Sequence, residues 1–341
     1  MNVKRAGLDI GYGQVKACLI EDGEIRTTMF PAVVGDAQAL SAFRLGLGGR
    51  RRSPKVVTYN GFDYFVGWDC LAHSRVTAGR QDRARIGSDE ERLLALVALA
   101  RLGVEDCVVV AGLPWAWYAD RRRLKKSLVG EHHLSIGHKE HTVLIREVRV
   151  VPQPVGGFYS TFLDKRGVAR ASEEEMNRTY GFLDIGWNTV DFTALRRLEP
   201  VEAWCGGATI GVRRVIEIVA DRIERTHHLE LSAQEVDQAI RDGHVEVYGR
   251  VVDISQWVNS AAQAVARQIR AKATALWGNG ERFSKIFIFG GGAFIMGKEL
   301  KRAFPHNSEV LPQPCLANAI GFAKFAQRRV FRLDRNKGSE E

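Results

Sequence analysis

Two aspartates carry the chemistry that this sequence offers most plainly. Asp9 stands in Leu8-Asp9-Ile10-Gly11-Tyr12-Gly13-Gln14-Val15-Lys16, and Asp184 in Leu183-Asp184-Ile185-Gly186-Trp187-Asn188-Thr189-Val190-Asp191. Each ends a short apolar run and is followed by a glycine turn. Mg²⁺ uses few protein ligands and keeps several waters, so a strand-end carboxylate can hold it at a distance. Glycines let consecutive backbone N–H groups approach one acceptor, and such runs form anion-binding concavities. Two such turns facing each other would clamp a cation with two carboxylates and phosphates with two sets of amides. An Asp-x-Gly turn is also ordinary turn chemistry. Its return in matching context, far along the same chain, favours the clamp.

Such side chains need stiff supports. Apolar, β-branched runs closed by glycine read as buried strands, so each aspartate is expected on a strand that opens a β-hairpin. In the first hairpin, residues 15–19 follow the turn and residues 25–30 return after Glu21-Asp22-Gly23-Glu24. In the second, 181–185 is followed by strands over 191–195 and 201–204. A hairpin is not the strand-to-helix arrangement of a Walker loop, and no G-x-x-x-x-G-K-[ST] occurs. Ser88-Asp89-Glu90-Glu91 reads as a capping box before an apolar helix over 92–102, buried on most sides. Strands over 108–111 and 143–151 lead into Gly112-Leu113-Pro114 and Pro152-Gln153-Pro154, with a basic helix around 121–126 between them. This alternation implies a mixed sheet with helices on its faces. A buried strand over 285–289 runs into Gly290-Gly291-Gly292.

At 341 residues the chain is long enough for two domains, and the acidic stretch 167–178 is the natural boundary. A net charge of +9 permits attraction to DNA, acidic partners or anionic lipid. Arg50-Arg51-Arg52 reads as a solvated loop of a small inserted segment. The five cysteines show no C-x-x-C spacing, which argues for reduced thiols in the cytoplasm. No signal peptide precedes the first strand, and no apolar run approaches the roughly 20 residues of a membrane span. The expectation is a soluble, cytoplasmic protein.

The order of these elements, with the closing helix Leu316-Ala317-Asn318-Ala319-Ile320-Gly321-Phe322, resembles the actin, sugar kinase and heat-shock ATPase superfamily over nearly the whole chain. The stretch from Asp9 to Lys16 is similar to actin's first phosphate loop. Gly112-Leu113-Pro114, Pro152-Gln153, Gly291-Gly292 and Pro312-Gln313-Pro314 resemble the bacterial and archaeal ParM/StbA plasmid-segregation actins. The resemblance implies an α/β fold of two actin-like (ribonuclease H-like) domains. Each would be a mixed β-sheet flanked by helices, with a nucleotide cleft between. Domain I would be residues 1–165, with an inserted subdomain at about 31–85, completed by the C-terminal helix 315–332. Domain II would be 166–314, with an insertion at about 220–280, and 333–341 a disordered tail.

Within that resemblance the protein is an ATPase using ATP, or GTP in its place, with Mg²⁺. Asp9 and Asp184 hold the metal through water and, with Gln153, form the catalytic set. Gln153 orients the attacking water; glutamine is a poor base, so turnover is expected to be slow. Lys16 reaches β/γ-phosphate oxygens as a point charge. The amides of Gly11, Tyr12, Gly13, Gly186, Trp187 and Asn188 form the phosphate cradle, with Thr189 in the same nucleotide-binding set, while Gly207, Gly290, Gly291 and Gly292 admit the adenosine. Asp191 reads as a structural hydrogen-bonder, and Arg213, Arg214 and Glu217 as helix surface. Trp187 stands where relatives carry a small residue, so its ring must point out of the cleft.

The implied function is a filament-forming ATPase that segregates plasmid DNA or a similar cargo. Its partners would be further copies of itself and a DNA-binding adaptor. Direct nucleic-acid contact lacks a helix-turn-helix or an aromatic-basic platform. The alternatives are a non-polymerising actin-fold scaffold and a small-molecule kinase, for which no acceptor-binding motif is visible.

Overall fold

Both aspartates stand at strand ends. The computed structural model describes residues 3–37, 54–74 and 82–328, and the chain divides into two units, Met1–Arg170 with Asn318–Glu341, and Ala171–Ala317. Arg50-Arg51-Arg52 and the charged tail lie outside the described residues.

The first unit opens with β1 (Lys4–Ile10), β2 (Gln14–Glu21) and β3 (Glu24–Pro31), then β4 (Val34–Asp36), β5 (Val56–Tyr59), β6 (Phe62–Val66) and α1 (Trp68–His73). It continues with α2 (Asp89–Arg101), β7 (Asp106–Leu113), α3 (Arg121–Leu128), β8 (Gly130–Ile136), β9 (Lys139–Pro152) and α4 (Val155–Phe162). Among the described residues its sheet is nine-stranded, in the order β3-β2-β1-β7-β9-β8-β5-β6-β4. β1, β7 and β9 run parallel in its middle, as a sheet covered on both faces requires. The apolar helix expected before β7 is α2, and every residue from Leu93 to Ala100 in it is buried. Its cap is only half a capping box. The Ser88 hydroxyl accepts from the Glu91 amide (3.2 Å), but the Glu91 carboxylate accepts from the Gly87 amide (2.6 Å). β8 was not legible in the sequence. Its Glu131-His132-His133 run has the polar character of a loop, and only Leu134 in it is buried.

The second unit contains α5 (Glu173–Met176), β10 (Thr179–Ile185), β11 (Val190–Arg196), β12 (Glu199–Pro200), β13 (Gly206–Ala208) and α6 (Val212–His227). After these come α7 (Ala233–Asp242), β14 (His244–Val247), β15 (Arg250–Asp253), α8 (Ser255–Trp277), β16 (Lys285–Phe289), α9 (Ala293–Lys301) and β17 (Ser308–Val310). Its main sheet runs β12-β11-β10-β16-β17. That order matches β3-β2-β1-β7-β9 of the first unit strand for strand, with the antiparallel and parallel pairings in the same places. The repeat seen in the sequence is therefore a repeat of topology. The strand expected over 201–204 is instead a 3₁₀ turn, Glu202–Trp204. The Trp277 indole donates to the Trp204 carbonyl (2.7 Å), and that buried anchor outweighs the strand propensity of the segment. Among the described residues, no helix is long and apolar enough to cross a membrane.

α10 (Ala317–Ala326) completes the first unit, packing Phe322 and Ala326 on Val108, Val110 and Val151. Its backbone comes unusually close to its neighbours. A Cβ on Gly321 would lie 1.9 Å from the Gly156 carbonyl oxygen, and one on Gly7 would lie 2.2 Å from that of Ala319. Backbone cannot yield as a side chain can, so Gly321→Ala is expected to cost about 3 kcal/mol or more of stability. A urea midpoint equal to the wild type would show that α10 is not held at this distance.

Candidate functional site

In the first unit the β1–β2 register sets Asp9 directly opposite Lys16. Both are buried, and the Lys16 ammonium sits 3.2 Å from Asp9 Oδ2. Gln153, just past the end of β9, donates from Nε2 to the other oxygen, Asp9 Oδ1 (3.0 Å). The Gln153 amide in turn donates to the Leu113 carbonyl (2.7 Å), which fixes the connector to the end of β7. Three of the side chains singled out in the sequence therefore meet at one point. The turn between the strands is closed by the Gly11 amide donating to the Gln14 carbonyl (3.0 Å). That bond removes the Gly11 amide from the cradle expected of it. Among the described residues, the Tyr12 and Gly13 amides donate to no acceptor. A Cβ on Gly11 would stand 3.4 Å from Lys16 Nζ, so glycine here leaves the lysine its place.

The second unit repeats the turn with one change of charge. The Gly186 amide donates to the Thr189 carbonyl (2.8 Å), so it too closes the turn and is unavailable as a cradle donor. Asp184 lies opposite Asp191 in the β10–β11 register, where the first unit has Asp9 opposite Lys16. Asp184 is buried. Burial, and then the neighbouring Asp184, push the Asp191 carboxyl up to about 7. The sequence reading of Asp191 as a structural hydrogen-bonder thus gives way to one of a like-charged pair. Gly207 of β13 pairs with Asp191, and a Cβ on it would lie 3.3 Å from Asp191 Oδ1. Asp184 and Asp191 thus face each other where the first unit pairs Asp9 with Lys16, and among the described residues no group of three or more His, Cys, Asp or Glu is placed to hold a metal ion.

Trp187 resolves a tension in the sequence. Its ring packs against the core of its own unit, leaving the backbone to form the turn. Its indole Nε1 is buried there without an acceptor among the described residues. Behind the turn, the Val212 amide donates to the Gly186 carbonyl (3.2 Å) and the Arg213 amide to the Trp187 carbonyl (2.9 Å). α6 thus meets the turn end-on. A Cβ on Gly211 would fall 2.3 Å from the Trp187 carbonyl oxygen, a constraint that sequence reasoning did not assign to this residue.

The three glycines after β16 do different work. A Cβ on Gly290, whose φ is +87°, would lie 2.4 Å from Asp184 Oδ1, and one on Gly292 would lie 2.3 Å from Ile185 Cγ2. Both are glycine because the end of β10 presses on them. Gly291 alone of the three has nothing within 4 Å of a built Cβ.

Against known proteins, residues 7–156 match the family model of the N-terminal domain of actin-like proteins, and residues 182–302 that of the archaeal actin homologue MreB-like C-terminal domain. The chain belongs to the actin-like superfamily. Among solved structures, this actin-like chain is similar to the 15-stranded ParM filament from Clostridium botulinum. That match has a TM-score of 0.77 and 20% identity, over 96% of this chain and 99% of the other. A non-polymerisable quadruple mutant of pCBH ParM gives a TM-score of 0.76 at 21% identity, over 96% and 99% of the two chains. The archaeal actin homologue Ta0583 in complex with ADP gives 0.77 at 19%, over 94% and 98%. At these identities the likeness is one of fold. No curated protein matches the chain in sequence.

Proposed function

We propose that this actin-like protein binds and hydrolyses ATP with Mg²⁺ and assembles with further copies of itself into filaments. The observation that carries the proposal is the duplicated turn, each copy with a buried carboxylate at its base and donor amides at its tip. The Tyr12, Gly13 and Trp187 amides would hold phosphate oxygens, and Lys16 would add a point charge on release from Asp9. Asp9 and Asp184 would hold the metal through its waters, and the bound ion would neutralise phosphate charge. Gln153 would orient the attacking water. Bound to Asp9, it is held in place but offers no strong base, so turnover would be slow.

The archaeal homologue in complex with ADP supports nucleotide binding, and the ParM filament supports self-association. Segregation of plasmid DNA or a similar cargo through an adaptor is the further extension of this reading. ATP would favour the assembling state and hydrolysis would weaken it, as a ligand biases a two-state equilibrium. High-speed sedimentation tests the proposal. Protein is expected in the pellet with Mg²⁺ and a slowly hydrolysed ATP analogue, and in the supernatant with no nucleotide. Nucleotide binding without any pellet would instead establish a non-polymerising scaffold.

A further inference from the structure

We infer that Arg85 is a positioning residue of the first phosphate-facing turn, one that fixes the Gly11–Tyr12 peptide and places positive charge behind it. The inference rests on the nucleotide reading above. Arg85 is 3% exposed, and its Nη1 donates to the Gly11 carbonyl (2.9 Å). Its guanidinium lies 5.4 Å over the Tyr12 ring. The remaining nitrogens, Nε and Nη2, are buried without an acceptor among the described residues. The buried Glu91 carboxylate nearby offsets part of its charge, but a guanidinium making one hydrogen bond is still costly to bury, and packing alone would be served better by an apolar side chain of similar size.

The direction of that one bond matters. In a trans peptide the C=O and N–H point to opposite sides. Holding the Gly11 oxygen on Arg85 therefore turns the Tyr12 N–H away from Arg85. A cation bound to the carbonyl also polarises the amide and strengthens it as a donor. The segment that carries Arg85 is itself clamped. Arg83 donates twice to Asp120 (2.6 and 3.2 Å), and Arg123 donates to the Ala84 carbonyl (3.1 Å).

The second unit supplies independent support. At the equivalent carbonyl, Gly186, the donor is the Val212 amide at the start of α6. The first amides of a helix carry roughly half a positive charge between them. Two unrelated devices, a buried arginine in one unit and a helix end in the other, thus place a positive donor behind the same atom of the repeated turn. Shared packing does not explain this, because the donors belong to different kinds of element. A shared demand on the turn does.

The test has two arms. In the nucleotide-free protein, Arg85→Ala is expected to raise amide hydrogen exchange in residues 8–16 about 10-fold and leave residues 183–191 unchanged. In the binding arm, Arg85→Ala is expected to weaken Mg-ATP affinity about 10- to 100-fold, the range for a lost charged hydrogen bond. Adenosine affinity should change less than about 2-fold, because only phosphates meet the turn, and Arg85→Lys should restore most of the ATP affinity. If the alanine variant does not fold, Arg85→Gln keeps a donor and drops the charge, and should show the ATP loss with the turn still protected. Wild-type exchange at residues 8–16 in a folded Arg85→Ala protein would overturn the inference. So would wild-type ATP affinity in Arg85→Ala or Arg85→Gln. If the wild type binds no nucleotide, the functional reading fails while the exchange arm still decides the role of Arg85.

Discussion

Asp184→Asn is expected to reduce nucleotide turnover by about 100-fold or more, the scale on which removing a charged group from a reacting centre acts. The same change is expected to make the nucleotide-free protein more stable at neutral pH. Both effects have one cause. Asp184 is buried, and its charge holds the Asp191 carboxyl up toward about 7, after burial itself. An amide at position 184 keeps the shape against Gly290 and removes the repulsion. It also removes half of the negative charge that would organise a cation. Steady-state phosphate release together with a urea titration at pH 7.5 reads both. Lower turnover with higher stability supports the assignment. Wild-type turnover would remove Asp184 from the chemistry, and lower stability would mark it as a structural residue.

Asp191 gives the second large effect, through pH. A carboxyl raised in the folded state holds a proton that the unfolded chain has already released. Stability therefore falls as pH rises from about 4, the unfolded value, to about 7, the folded one, and the loss is complete above that. About three pKa units correspond to roughly 4 kcal/mol at most. Asp191→Asn is expected to abolish this slope, gaining stability over the wild type at pH 8 and little at pH 4.5. Urea midpoints across that range measure it. Parallel pH profiles for the two proteins would mean that the proton is not shared with this pair.

Much of this arrangement was legible in the sequence because it repeats. A strand that must bury both faces announces itself as an apolar run, and the glycine turn after it has few substitutes. For that reason Asp9, Asp184 and their hairpins could be placed without coordinates. The α/β class followed from the same runs, with α2 read as a helix buried on most sides from its nearly unbroken apolar stretch. What stayed hidden depends on who stands opposite whom. Asp191 gained its meaning only when the register set it across from Asp184, and Gly290 only when its backbone was found against the Asp184 carboxylate. The Gly11 and Gly186 amides were assigned to the cradle, but closing the turn consumes them. Arg85 carried no signal at all, since it sits in the basic run Arg83-Ala84-Arg85. Only burial separates it from its neighbour Arg83, which pairs on the surface with Asp120. β8 was missed because a strand inside a sheet needs few buried side chains once its backbone is paired on both sides.

The most direct test of the central claim is light scattering of the purified protein after addition of Mg²⁺ and ATP, with phosphate release followed in the same sample. A rise that decays as phosphate accumulates, and that persists when Asp184→Asn is used, is the predicted result. A flat trace in protein that binds ATP would contradict filament formation, and the site would then serve a nucleotide-binding scaffold.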